Sequence, residues 1–520
     1  MPIEPLREPG AASASTPGIA GIALAALAVS LAGLLFGYDT GVASGISHYL
    51  GEYFHLSAAQ VGFAIACLDL GCIAGALCAG TLADRFGRKR VLIFCALVFM
   101  LSGVLSAIPH TVTELVLARV LGGLAIGASS MVAPVYIAEI APEKHRGRLG
   151  SLYQLGIVVG IAVVYWVNYL ILTWGKTAHT NVAVAHGAHW NAQYGWRYML
   201  GSEVIPAVVF FCMLLFINES PRWQIVNGRE AEARKTLTRF FGPAKAESEI
   251  AAVRQVSSAE EGRFSELFTP RYRLPLMIAL FLAIFSQFSG INSIIYYAPR
   301  IFAAAGMKTT NAFGSTALIG MVNLAFTFIA VGFVDRAGRK LLLAIGTAIQ
   351  VFALAAVAVI FALAHQEPAF KTKAGTHYQG LMAHAKFLAM ARGAHATVAM
   401  APHFTGTQVD ILLGSILLFI AAFAMAMGPM PWIIISEIFP ARIRGRAASV
   451  GVLTLWAAVF VIAQTFPVLK RDIGLTALYF IYAGCSLVSF LFVIFVLPET
   501  KGRTLEEIEA SWRSPAAAGN

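Results

Sequence analysis

The chain has 520 residues, 58% of them apolar and 12% charged, with a mean hydropathy of +0.72 and a formal net charge of +11. A soluble domain carries about 25% charged and about 45–50% apolar residues. A soluble globule of this size would therefore lack the polar groups to cover its surface, and disorder along most of the chain is excluded as well. At ~20 apolar residues per crossing helix plus a short loop, the length accommodates about twelve membrane spans.

Residues 1–18 are rich in Pro, Ala and Ser and read as a disordered cytoplasmic N-terminus. The apolar run from Ile19 continues into a full span, which argues against a cleavable signal. Apolar stretches of helix length follow near 19–49, 58–82, 91–109, 112–137, 150–173, 197–217, 274–304, 312–334, 341–364, 409–435, 447–469 and 474–497. Glycines four residues apart, at Gly71/Gly75, Gly123/Gly127 and Gly156/Gly160, suit close helix approach. The hydrophilic segment 218–273 divides the spans six and six and reads as short amphipathic helices. The predicted organisation is a six-helix bundle at 19–217, a helical linker at 218–273, a second bundle at 274–497 with a long external loop at 365–408, and a tail at 498–520.

Charge sets the orientation. Basic clusters at Arg85, Arg88, Lys89 and Arg90, at Lys144, Arg146 and Arg148, at Arg336, Arg339 and Lys340, and at Arg442, Arg444 and Arg446 each follow an even-numbered span. Both termini are therefore expected in the cytoplasm, and the +11 needs no nucleic-acid partner. The six cysteines all sit in apolar runs and form neither a CxxC knuckle nor a disulfide framework. Eleven of the twelve histidines fall on the external side of this topology, with His145 the exception. No helical HxxxH or HExxH pair points to a metal, and no GxxxxGK[ST] loop points to nucleotide-driven transport.

The halves repeat. Asp84-Arg-Phe-Gly-Arg-Lys89 recurs as Asp335-Arg-Ala-Gly-Arg-Lys340. Glu139-Ile-Ala-Pro142 with Arg146-Gly-Arg148 recurs as Glu437-Ile-Phe-Pro440 with Arg444-Gly-Arg446. Two motifs repeated in order and in the same orientation indicate a parallel duplication with a cavity between the halves.

With these motifs the chain resembles the sugar porter family of the major facilitator superfamily over about residues 25–510. The resemblance also rests on Gly37-Tyr-Asp39, Arg119 with Gly123 and Gly127, Gln154-Leu-Gly156, Gly195-Trp-Arg197 and Glu219-Ser-Pro-Arg222. Gln287 with Gly290-Ile-Asn292, Tyr296-Tyr297, Gly428-Pro429 with Trp432, and Pro498–Arg503 complete it. Within the family it is similar to bacterial proton–xylose/hexose symporters, and the stretch Trp196–Pro206 is especially similar to the proton–xylose symporter. The resemblance implies an all-α major facilitator fold of twelve transmembrane helices, acting without a cofactor and not as an enzyme. It implies a monomer in a bacterial inner membrane, importing a small neutral sugar or polyol with a proton by alternating access. A facilitative uniporter and a non-transporting nutrient sensor are the other readings, and the short tail disfavours the sensor.

The resemblance also distributes roles. Arg85, Arg88, Glu139, Arg148, Glu219, Arg336, Arg339, Glu437 and Arg446 would form a cytoplasmic latch. Asp39, a carboxylate in the first span, would couple the proton with Arg119 as its partner. Asp69 interrupts the second span where the family has an apolar or small residue, and either joins proton handling or faces a water-filled vestibule. Glu203 reads as structural. Phe36, Gln154, Gln287, Asn292, Tyr296, Tyr297, Asn323 and Trp432 would bind the sugar, amides matching hydroxyls and rings covering its apolar face. Gly290 favours a break in the seventh span, and Gly428, Pro429 and Pro431 weaken the tenth. Ser286, Leu455 and Val459 stand where the family often has amides, so up to three polar contacts are missing.

Overall fold

The computed structural model describes residues 19–142, 145–178, 190–257, 264–371, 377–379, 397–439 and 441–499. The expected disordered N-terminus, the tail from 500, and His179, His186, His189, His384 and His395 lie outside the described residues. The first half contains α1 (Ile19–Tyr53), α2 (Ala58–Phe86), α3 (Arg88–Ala107), α4 (Val112–Ile140), α5 (Arg146–Ala178), α6 (Trp196–Gly201) and α7 (Val204–Phe216). The linker folds as α8 (Pro221–Val226), α9 (Glu230–Phe241) and α10 (Pro243–Ser257) around Leu237, Ala246 and Ile250. The second half contains α11 (Arg273–Phe288), α12 (Ile291–Ala304), α13 (Thr309–Ala337), α14 (Arg339–Ala362), α15 (Gly406–Met425), α16 (Met430–Ile438), α17 (Ala441–Asp472) and α18 (Gly474–Phe495). With α6/α7, α11/α12 and α15/α16 each counted as one broken span, twelve helical segments among the described residues are long and apolar enough to cross a membrane.

Local sequence explains where the helices begin. Capping boxes at Ser57/Gln60, Thr111/Glu114 and Thr405/Gln408 start α2, α4 and α15. Gly87 (φ 98°) and Gly338 (φ 88°) turn the chain between α2 and α3 and between α13 and α14, at equivalent places in the repeated motif. The expected external loop differs: β1 (His365–Lys371) pairs antiparallel with β2 (His377–Gln379) and β3 (Thr397–His403), in the order β2-β1-β3. Low hydropathy marked the segment as extramembrane, and strand pairing satisfies its backbone there.

Packing carries the duplication into three dimensions. The α2–α4, α3–α4 and α3–α7 contacts of the first half recur as α13–α15, α14–α15 and α14–α18. The halves meet through α2 on α17, through its counterpart α5 on α13, and through α1 on α12 at the axis between them. The glycine pairs act as expected. A Cβ at Gly71 or Gly75 would overlap the backbone oxygens of Val120 or Leu124, and one at Gly123 or Gly127 those of Leu68 or Cys72. Gly156 and Gly160 play the same part against Ser30 and Leu34 on α1. Large apolar side chains such as Ile205, Phe216, Phe352 and Phe495 are exposed on the outer faces, as a lipid-facing surface requires.

Candidate transport site

The buried acidic and basic side chains among the described residues are Asp39 on α1, Asp69 on α2, Arg119 on α4 and Glu203 in the break between α6 and α7, all in the first half. Arg119 and Asp39 form an ion pair and are 2% and 0% exposed. Gly122 of α4 lets α3 approach beside the pair: a Cβ there would lie 2.5 Å from Ser102 Oγ and 3.4 Å from Asp39 Oδ2. That oxygen, Arg119 Nε, both oxygens of Asp69 and Glu203 Oε1 have no hydrogen-bond partner. Asp69 and Glu203 lie within electrostatic range of the pair. The expected partnership of Asp39 and Arg119 is thus present, and two more carboxyl groups surround it. Three carboxyls share one guanidinium that is always charged. With all three ionised the group would hold a net charge of −2 away from water, where each uncompensated ion costs several kcal/mol. Proton binding relieves that charge.

The second half supplies amides. α11 ends at Phe288, Gly290 takes a left-handed conformation (φ 83°), and α12 starts at Ile291, so the seventh span is broken as expected. A Cβ at Gly290 would strike the Tyr482 ring, so the break also seats that ring. Across it Asn292 Nδ2 donates to Gln287 Oε1 at 2.7 Å, and Gln287 Nε2 donates to Ser286 Oγ at 3.2 Å. The tenth span is interrupted between Met425 and Met430, beside Trp432, which is 39% exposed. Tyr297 is committed to packing: its hydroxyl donates to the Ala463 carbonyl at 2.9 Å and its ring stacks on Phe466. Tyr296 is buried on the same helix. Gln154 on α5 and Asn323 on α13 stand on interface helices without a hydrogen bond to the Gln287–Asn292 pair. Phe36 meets Trp456 of α17 across the halves, ring centroids 5.1 Å apart. Trp456 was not among the expected site residues; its place beside the departed position Leu455 is the signal that marks it. Leu455 and Val459 are buried there.

The two ends of the bundle differ. The end bearing the repeated basic motifs is called here the basic end, and the opposite one the far end. At the far end the halves are tied by hydrogen bonds from Ser47 Oγ to Tyr296 O (3.1 Å), Gln464 Nε2 to Ala59 O (3.0 Å) and Lys176 Nζ to Thr310 Oγ1 (2.7 Å). Tyr165 donates to Ile295 O at 2.9 Å nearer the middle. Toward the basic end, α16 packs on α11, α14 and α17 of its own half, and α4 on helices of its own. The far end is the closed one.

At the basic end each half builds the same structure. Arg88 reaches Glu139 at 3.1 Å, and Arg339 reaches Glu437 at 2.9 Å. Lys89 Nζ donates to Leu215 O, and Lys340 Nζ to Ile494 O. Glu219 accepts the backbone N–H groups of Arg88 and Lys89, at the start of α3. Glu499 does the same for Arg339 and Lys340 at the start of α14. A carboxylate at a helix N-terminus is favourable on both counts, hydrogen bonding and dipole. Glu499 was missed; the signal was its place just past the last span, where Glu219 lies just past the sixth. The Arg88–Glu139 and Arg339–Glu437 pairs each join helices within a half. Arg148 is exposed, and the side chain of Arg336 lies outside the described residues.

Two duplicated six-helix bundles, spans broken at their interface and one buried charge cluster define a membrane transporter of the major facilitator class. The chain belongs to the family described as "Sugar (and other) transporter", whose model matches residues 25–404 and 387–512. It is 36% identical to the arabinose-proton symporter of Bacillus subtilis over 492 residues, covering 94% of this chain and 95% of the relative. It is 35% identical to the D-xylose-proton symporter of Escherichia coli over 522 residues, covering 94% of each. Among solved structures it matches the partially occluded inward-open conformation of the Escherichia coli xylose transporter XylE, with a TM-score of 0.74 at 31% identity over 93% of this chain and 100% of that one.

Proposed function

We propose that this chain imports a neutral monosaccharide or a related polyol by proton symport, through alternating access. The observation that carries the reading is the buried Asp39–Arg119 pair, with Asp69 and Glu203 beside it. A carboxylate held by a guanidinium in a sealed site binds a proton only when the pair opens, so proton occupancy and conformation are linked. The amides of Gln287 and Asn292 are bonded to one another and exchange that bond for sugar hydroxyls at little net cost. The basic end is read as cytoplasmic by its Arg and Lys excess, which makes this structure inward-facing. The latch then consists of pairs such as Arg88–Glu139 and Arg339–Glu437, which regroup across the halves when the basic end closes. The protein is read as working as a monomer in a bacterial inner membrane.

The driving force suffices. A potential of ~150 mV supplies ~3.5 kcal/mol per proton, enough for a roughly 300-fold gradient of a neutral solute. The test is uptake of a monosaccharide and polyol panel into proteoliposomes, with and without an imposed proton gradient. Accumulation above the external concentration only with the gradient supports symport. Equal equilibration in both supports a uniporter, and no flux of any solute refutes transport.

A further inference from the structure

At the far end α1, α2, α12 and α17 line an open pocket of about 430 Å³. Its charged lining is Arg300 of α12, Lys470 of α17 and Glu52 of α1, with His48 of α1 beside them. Arg300 is half-buried, and among the described residues its guanidinium has no hydrogen-bond or ion-pair partner. Lys470 is half-buried too, and its Nζ makes one long bond, 3.4 Å, to the Arg300 carbonyl. Glu52 is the one carboxylate in the lining, is exposed, and forms no ion pair with either cation. Two fixed cations against one carboxylate leave the mouth positive. Lys176 adds to the local field, its own Nζ spent on Thr310. The basic end is different, since Arg88 and Arg339 there each hold a glutamate.

Geometry gives the unpaired cations a direction. A Cβ at Gly51 would lie 3.2 Å from an Arg300 terminal nitrogen, so the guanidinium of one half stands close against the backbone of the other. A planar guanidinium offers a fork of N–H donors matched to carboxylate or phosphate oxygens, and a lysine beside it adds a point charge. We infer that this mouth is a binding site for a small oxyanion, a phosphate or carboxylate, held by Arg300 and Lys470 against α1. Because the site draws on both halves, an occupant favours the far-end-closed state. The site stands independently of what the transporter carries.

The test uses the full-length protein purified in neutral detergent. Inorganic phosphate is titrated at constant ionic strength set by methanesulfonate, and the melting temperature is read. The wild type rises saturably. Arg300→Gln and Lys470→Gln each weaken the apparent affinity about tenfold, the loss expected for one charge-assisted contact. Lys308→Gln, which removes an exposed cation at the same end, leaves it unchanged. Solute counterflow confirms that each variant is folded. In nanodiscs, a phosphate response kept in phosphatidylcholine and in phosphatidylglycerol assigns an aqueous ligand; a response lost only in phosphatidylglycerol assigns the same site to a lipid headgroup. External phosphate should also slow influx by the wild type and not by Arg300→Gln. A non-saturating rise shared by wild type and variants overturns the site, and binding without any effect on influx overturns its closing action.

Discussion

Replacing Asp39 by Asn removes the charge from the buried pair while keeping its size and one carbonyl acceptor for Arg119. Breaking a buried pair by deleting one partner costs about 3–5 kcal/mol, because the other charge stays uncompensated. Here the cost should fall at or below the lower end, since Asp69 and Glu203 stand within electrostatic range of Arg119 and can supply the missing charge. The variant should therefore fold and bind solute. It should fail at coupling, because Asn has no acid group that can bind and release a proton. In proteoliposomes at ~150 mV the accumulation ratio should fall from as much as roughly 300-fold to about one. Counterflow exchange, which needs no net proton movement, should persist within a few-fold of wild type. The assay is accumulation of labelled solute beside counterflow on the same vesicles. Retained uphill accumulation by Asp39→Asn would sink the assignment. Loss of both activities with a preserved melting temperature would place Asp39 in solute binding instead.

Restoring an amide with Ser286→Gln should tighten monosaccharide binding by about 0.5–1.5 kcal/mol, roughly two- to tenfold, measured by titration calorimetry; unchanged affinity for every monosaccharide counts against the site. Glu139→Gln removes the buried one of Arg88's two carboxylate partners, leaving the exposed Asp84, and should shift the protein further toward the state open at the basic end. Cysteine accessibility from both sides checks it, and no shift on either side refutes the latch. Gly123→Val should lower stability by about 1–3 kcal/mol, because α2 and α4 must part to clear the Leu68 carbonyl. A melting temperature equal to wild type would contradict that packing.

Much of this was legible because a bilayer leaves a sequence few choices. Apolar length gave the spans, and the repeated Asp84–Lys89 and Asp335–Lys340 loops gave the duplication. Glycine turns at Gly87 and Gly338 followed from the same motif. What escaped depends on tertiary registration. Glu499 does for α14 what Glu219 does for α3, yet the residues around the two differ. The Gln287–Asn292 bond spans a left-handed glycine that resets the helix phase, so spacing alone could not pair them. Arg300 and Lys470 read as ordinary flanking cations until α1, α12 and α17 converge.

The departures from symmetry are the informative part. The basic-end motifs, the capping carboxylates and the helix pairings repeat in both halves, as parts that serve a shared rocking motion should. Among the described residues the buried charges do not repeat: Asp39, Asp69, Arg119 and Glu203 all belong to the first half. The amide pair at the broken seventh span belongs to the second. On the proposed reading, proton and solute are then handled by different halves, and coupling must cross the interface. Beside the hydrogen bonds that tie the halves together, two contacts bear on that coupling. Phe36 meets Trp456, and Asp69 lies within electrostatic range of Tyr296. Only the second involves a titratable acid. Asp69→Asn should therefore alter the proton dependence of uptake more than solute affinity, and Trp456→Leu the reverse. If both variants change affinity alone, coupling does not run through Asp69.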